Sequence, residues 1–130
     1  LAPYADRLRL CQALATLVEA RVCGIEAELP RPSYTWNTLC ALRDQHPQHR
    51  FRLVVGADTL DQTDQWHRWA DIAEHFEPIV VGRGGFPAVP GAPTFPGVSS
   101  TEVRAAIAAG EPVDHLVPAC VLAELRGLYA

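Results

Sequence analysis

The chain has 130 residues, a length that a single hydrophobic core can serve. Apolar residues make up 48% and charged residues 20%, which excludes a disordered or collagen-like polypeptide. Fifteen acidic against eleven basic residues give a net charge of −4, an argument against a general nucleic-acid or membrane-surface binder.

Leu10, Leu14, Leu17 and Val18 recur at helical spacing and predict a helix over about Tyr4 to Ala20, with Pro3 suited to its first turn. Val22 to Leu29 alternates loosely, with Cys23, Ile25 and Ala27 on one face, and reads as a strand ended by Pro30 and Pro32. Thr35 is placed to cap a second helix running to about Gln45, stopped by His46-Pro47. Phe51 to Val55 is a buried strand by composition, feeding the loop Gly56-Ala57-Asp58. Trp66, Trp69, Ala73 and Phe76 follow at helical spacing, and Ile79-Val80-Val81 is another buried strand.

Between Gly84 and Gly97, four prolines and four glycines crowd fourteen residues and predict a loop, inside which Thr94-Phe95 suits one more short strand. Two helices close the chain, Ser100 to Ala109 ended by Gly110, and Pro118 to Arg126 ended by Gly127. Strands alternating with helices imply an α/β layer structure with a mainly parallel sheet. In such sheets ligands bind beyond the carboxyl ends of the strands.

Four cysteines (Cys11, Cys23, Cys40 and Cys120) contain no CxxC pair, which favours reduced thiols in a cytoplasmic protein. Five histidines form no metal signature, and His46 and His49 flank a proline turn. No apolar run reaches the length of a membrane span. Methionine is absent even at position 1, so translation is expected to begin upstream of Leu1.

The stretch Val98-Ser99-Ser100-Thr101-Glu102-Val103-Arg104 is the most informative. Ser99 as N-cap with Glu102 three residues on makes a capping box, and Val98 with Val103 the matching hydrophobic staple. Ser100 and Arg104 are four apart and share one helix face. Free amide N–H groups at the helix start suit a phosphate, and Arg104 adds a guanidinium fork. Taken alone, the same residues describe a well-capped surface helix with a solvated arginine more simply than a phosphate site. Ser33-Tyr34-Thr35-Trp36 offers a second helix start, suited to a small carboxylate or to simple capping. Asp58 is placed to accept from a ribose hydroxyl or to cap the next helix. Of Trp66 and Trp69, one suits the core and the other an aromatic ligand.

In order, Ser33-Tyr34-Thr35-x-x-Thr38-Leu39, Gly56-Ala57-Asp58, Trp66, Val81-Gly82-Arg83-Gly84-Gly85, Val98 to Arg104, Asp114-His115-Leu116-Val117-Pro118 and Gly127-Leu128-Tyr129 form one series. That series closely resembles the bacterial nicotinate-nucleotide adenylyltransferases, from about Arg7 to Tyr129. The resemblance implies a Rossmann-like nucleotidyltransferase fold and one domain over 1–130, the C-terminal portion of the family domain. It also implies adenylyl transfer from ATP to nicotinate mononucleotide. Ser99, Ser100, Thr101 and Arg104 then match the ATP-side motif, with Arg104 on the phosphates. Tyr34 and Thr35 match the carboxylate site, Trp66 the wall stacked on the pyridine ring, and the His67 amide a second carboxylate donor. Asp58 matches a pocket carboxylate near a ribose, and Arg83 a recurrent arginine. Mg²⁺ is expected to arrive with ATP, and no nucleic acid or membrane partner is implied. A homo-oligomer is among the states the sequence leaves open.

The family also carries a first strand and a loop G-x-F-D-P-x-H-x-G-H, which these 130 residues do not contain. The expectation is a sheet without its first, central strand, half a phosphate cradle, weak mononucleotide binding and negligible turnover by these residues alone. Two other readings stay open at this point: a sister enzyme with another acceptor such as pantetheine phosphate, and a non-catalytic nucleotide-binding or interaction module. The first would be insensitive to Trp66→Ala, and the second would release no pyrophosphate.

Overall fold

A computed structural model describes residues 1–130, which divide into two compact units. The first is Leu1–Gly24 with Val98–Ala130, and the second is Ile25–Gly97.

The second unit holds the sheet. β1 (Val54–Gly56) pairs in parallel with β2 (Ile79–Arg83), Val55 opposite Val80, and β2 pairs in parallel with β3 (Thr94–Phe95), Gly82 opposite Thr94. The order β1-β2-β3 puts β2 in the centre. Between β1 and β2 run a 3₁₀ segment over Ala57–Gln65 and α3 (Trp69–Phe76), and α2 (Thr35–Gln45) precedes β1. Leu39 of α2 and Ile72 and Phe76 of α3 are buried together, with Trp36, Cys40, Phe51, Leu53, Trp66 and Trp69 packed around them. β2 and β3 approach so closely that a Cβ on Gly82 would stand 3.1 Å from the Thr94 Cα.

The first unit is helical: α1 (Tyr4–Ala15), α4 (Ser100–Ala108) and α5 (Ala119–Tyr129). Its core is Val103, Ile107 and Val113, enclosed by Ala106, Leu116, Val117, Leu122, Leu125 and Tyr129. α1 meets α5 through Arg9, whose Nε donates to Glu124 Oε1 at 3.1 Å. α4 closes in a Schellman motif, and the turn beyond α1 carries a similar bond. Ala20 N–H donates to Ala15 C=O with Glu19 left-handed, and Glu111 N–H donates to Ala106 C=O with Gly110 left-handed.

Several predicted boundaries shift. Residues 22–29 are not a strand. Glu28 N–H folds back on Ile25 C=O in a 3₁₀ turn, and only Ile25 of the alternating face is buried, so no ladder supports an extended run. α1 stops five residues before Ala20, where Thr16 Oγ1 donates back to Ala13 C=O. The first strand is confined to Val54–Gly56. Thr35 is the first helical residue and not the cap, a position held by Tyr34 with no side-chain bond. Trp66 lies outside α3, because Arg68 is left-handed at φ 58° and breaks the helical path between the two tryptophans. Gly127 sits inside α5 rather than ending it. The Thr94-Phe95 strand within the Pro/Gly-rich loop is present as expected.

Candidate active site

Each unit holds one cleft lined by residues that the sequence singled out. In the second unit a cleft of about 190 Å³ is lined by Ser33, Tyr34, Thr35, Gln65, Trp66 and His67. The start of α2 supplies one wall. Tyr34 is extended and its side chain caps nothing, so the first-turn N–H groups keep the donor capacity and partial positive charge of a helix start. The other wall is the turn after the 3₁₀ segment, where Trp66 rests on the core and meets the Trp69 edge at 5.5 Å and 79°. The His67 ring stacks on Tyr34 with centroids 4.2 Å apart. The structure thus brings Tyr34, Thr35, Trp66 and His67 together across some thirty residues of chain.

Asp58 and Arg83 stand at the carboxyl ends of β1 and β2, and they pair, Arg83 Nη1 donating to Asp58 Oδ2 at 2.5 Å. Both side chains are about a quarter exposed. Gly56 leaves the room this needs, since a Cβ there would fall 2.4 Å from the Asp58 Oδ1. Both residues stand out in the sequence, but not as a pair. The parallel register that puts two strand ends side by side is the only signal that could have joined them.

In the first unit the capping box is complete: Glu102 N–H donates to Ser99 Oγ, and Ser99 N–H donates to Glu102 Oε2, both at 3.1 Å. Ser100 and Arg104 line a cleft of about 440 Å³ with Arg7, Val103, Val117, Leu125 and Tyr129 among its walls. Arg104 Nη2 donates to Thr101 Oγ1 at 3.3 Å. Ser99 and Thr101 are not among the lining residues. The apolar wall of Val117, Leu125 and Tyr129 had no assigned role in the sequence, although the Leu-Val-Pro and Gly-Leu-Tyr motifs that carry two of its members were visible. Arg7 and Arg104 give this largely apolar cleft its positive charge, a combination suited to an anionic ligand with an aromatic part.

No group of three or more His, Cys, Asp or Glu side chains is gathered to hold a metal ion, and no helix is long and apolar enough to cross a membrane. All four cysteines are free thiols.

Residues 1–106 match the family model described as cytidylyltransferase-like, and the chain belongs to that family. Its relatives narrow the class. A protein of Anaeromyxobacter sp. (strain K) named as a probable nicotinate-nucleotide adenylyltransferase is 50% identical over 135 residues, covering 99% of this chain and 72% of the relative. A Salinibacter ruber protein of the same name is 41% identical over 114 residues, covering 79% of this chain and 58% of that one. A crystal structure from Vibrio parahaemolyticus, described under the same enzyme name, superposes with a TM-score of 0.69 at 19% identity. It covers 98% of this chain and 74% of its own, and so establishes the fold.

Proposed function

We propose that this chain is a nicotinate-nucleotide adenylyltransferase that joins nicotinate mononucleotide to ATP, giving deamido-NAD and pyrophosphate in the NAD biosynthesis of the cytoplasm. The single observation that supports this reading best is the cleft at the start of α2, where Tyr34, Thr35, Trp66 and His67 meet. Helix N–H groups, the Thr35 hydroxyl and the His67 amide suit a carboxylate, and Trp66 suits a flat pyridine ring. A neutral carboxamide gains less from the same positive end of the helix, which is the physical basis for preferring nicotinate over nicotinamide.

In the reaction, a phosphate oxygen of the mononucleotide attacks the α-phosphorus of ATP in line. The new P–O bond forms as the bond to the bridging β-phosphate oxygen breaks, and pyrophosphate leaves with the electron pair. Such chemistry needs alignment and charge neutralisation more than a protein base. Arg104 neutralises the ATP phosphates, with Ser99, Ser100 and Thr101 forming the helix start beside them. Asp58 receives a ribose hydroxyl, and Arg83, held by Asp58, faces substrate charge. Mg²⁺ enters as part of the nucleotide substrate.

The test has two arms. Calorimetric titration of the chain with nicotinate mononucleotide and with nicotinamide mononucleotide should favour the carboxylate by about tenfold, and equal affinities would overturn the assignment. With the polypeptide isolated from its natural source, deamido-NAD and pyrophosphate are followed by mass spectrometry. Arg104→Ala should slow their formation by about 100-fold.

A further inference from the structure

The three residues after the 3₁₀ segment do different things with one target. Trp66 lines the cleft, while the next two side chains each clasp the start of α2. The His67 ring stacks on Tyr34 at 4.2 Å with the planes 24° apart. The Arg68 guanidinium lies over the Trp36 ring, 4.3 Å from its centroid, and its Nε donates to Asp71 Oδ2 at 2.7 Å. Tyr34 and Trp36 are the neighbours of Thr35, so the two clasps bracket the threonine that lines the cleft.

Core packing does not account for this pair, because His67 and Arg68 are both exposed. Arg68 also holds a left-handed backbone, φ 58° and ψ 40°, which a residue with a Cβ adopts only where its surroundings impose it. That turn is what lets two successive side chains reach the same helix. The two residues that follow Trp66 are therefore each held against the start of α2 through an aromatic ring.

We infer that His67 and Arg68 are positioning residues which set the width of the slot between Trp66 and the first turn of α2, and thereby its selectivity for a flat ring bearing a carboxylate. The inference deepens the function proposed above and rests on it. Arg68 acts through Trp36, and the His67 ring acts through Tyr34, separately from the His67 backbone amide.

The test uses the full chain, titrated by calorimetry with nicotinate mononucleotide and separately with Mg·ATP, alongside thermal unfolding. His67→Ala and Arg68→Ala should each weaken the mononucleotide by about fivefold, the scale of one lost stacking contact, with ATP affinity within about twofold. His67→Phe should recover most of the loss, since it keeps a stackable ring. Arg68→Lys should recover little, because an ammonium keeps the charge without the plane. These two bulk-preserving variants carry the comparison even where an alanine variant unfolds. Mononucleotide binding unchanged in all four variants, with the unsubstituted chain still preferring nicotinate, overturns this inference alone. Equal losses for both ligands with a lowered melting temperature also overturn it, leaving a merely structural clasp. A chain that does not distinguish the two mononucleotides before any substitution overturns the proposed function and this inference with it.

Discussion

Trp66→Ala separates the mononucleotide side of the reaction from the ATP side, and its two costs can be worked out in advance. The indole is half-buried against Leu39, Ile72 and Phe76 and meets the Trp69 edge at 5.5 Å. A fully buried aromatic truncated to alanine costs about 3–5 kcal/mol, and part of this ring already faces solvent, so a stability loss of about 2 kcal/mol is expected. The ligand cost is independent of it. Stacking of a flat heterocycle on an aromatic side chain is worth about 1–3 kcal/mol by alanine substitution, which puts the mononucleotide at least about fivefold and typically tenfold weaker. ATP affinity should stay within about twofold, because no ATP-side residue lies in this cleft. Urea unfolding gives the first number and calorimetry with each ligand the second. Trp66→Phe, which keeps a ring and part of the packing, should fall between. Equal weakening of both ligands would refute the stacking role. So would an unchanged mononucleotide affinity in a destabilised protein, which would make Trp66 a core residue only.

Other substitutions test the framework around the clefts. Ser99→Ala removes one arm of the capping box and should cost about 1 kcal/mol in urea unfolding, whereas Glu102→Gln keeps a carbonyl acceptor for the Ser99 N–H and should cost less. Gly82→Ala places a methyl 2.5 Å from Thr94 Oγ1 and 3.1 Å from the Thr94 Cα, so β3 must shift away from β2. About 1–3 kcal/mol should be lost, and Thr94→Ala in the same chain should return only part of it, since the backbone contact remains. Asp71 is held below its ordinary value of 3.8, chiefly by the hydrogen bond from Arg68. A carboxylate with a lowered native pKa adds stability above the unfolded value and loses it as pH falls through the native one. Asp71→Asn should therefore flatten the loss of stability as pH falls below the ordinary carboxylate value, read from urea midpoints.

Much of the site was legible because its residues announce themselves locally. Ser99 and Glu102 are three apart by the geometry of a helix start, and the structure completes both their bonds. The strand Ile79–Arg83 was visible from its β-branched run, and Gly110 marked its helix end by the left-handed turn it adopts. What stayed hidden depends on distant partners. Cys23, Ile25 and Ala27 alternate like a strand, but alternation describes one face and says nothing of whether a neighbouring strand is there to bond. Trp66 and Trp69 have helical spacing and do touch, yet edge to face across a left-handed Arg68 rather than along one helix. No local rule foretells an arginine in that conformation, because the Trp36 ring beneath its guanidinium is brought there by tertiary structure. The Asp58–Arg83 pair was illegible for the same reason, being made by parallel register between strand ends.

The division of the chain also orders its assembly in time. The second unit is one continuous stretch, Ile25–Gly97, whereas the first is split, with α1 at one end and α4 and α5 at the other. During synthesis the second unit can bury Leu39, Ile72 and Phe76 as soon as Gly97 clears the ribosome. α1 emerges before the second unit yet has to wait for α5, since Arg9 finds Glu124, and the Ala13 carbonyl finds the Cys120 thiol, only after Ile25–Gly97 and α4 have emerged. Leu14 of α1 and Leu17 and Val18 just beyond it stay exposed even in the folded unit. The intervening unit, once folded, shortens the effective loop that α1 and α5 must close. A nascent-chain proteolysis series should show Ile25–Gly97 becoming resistant before α1 and α5.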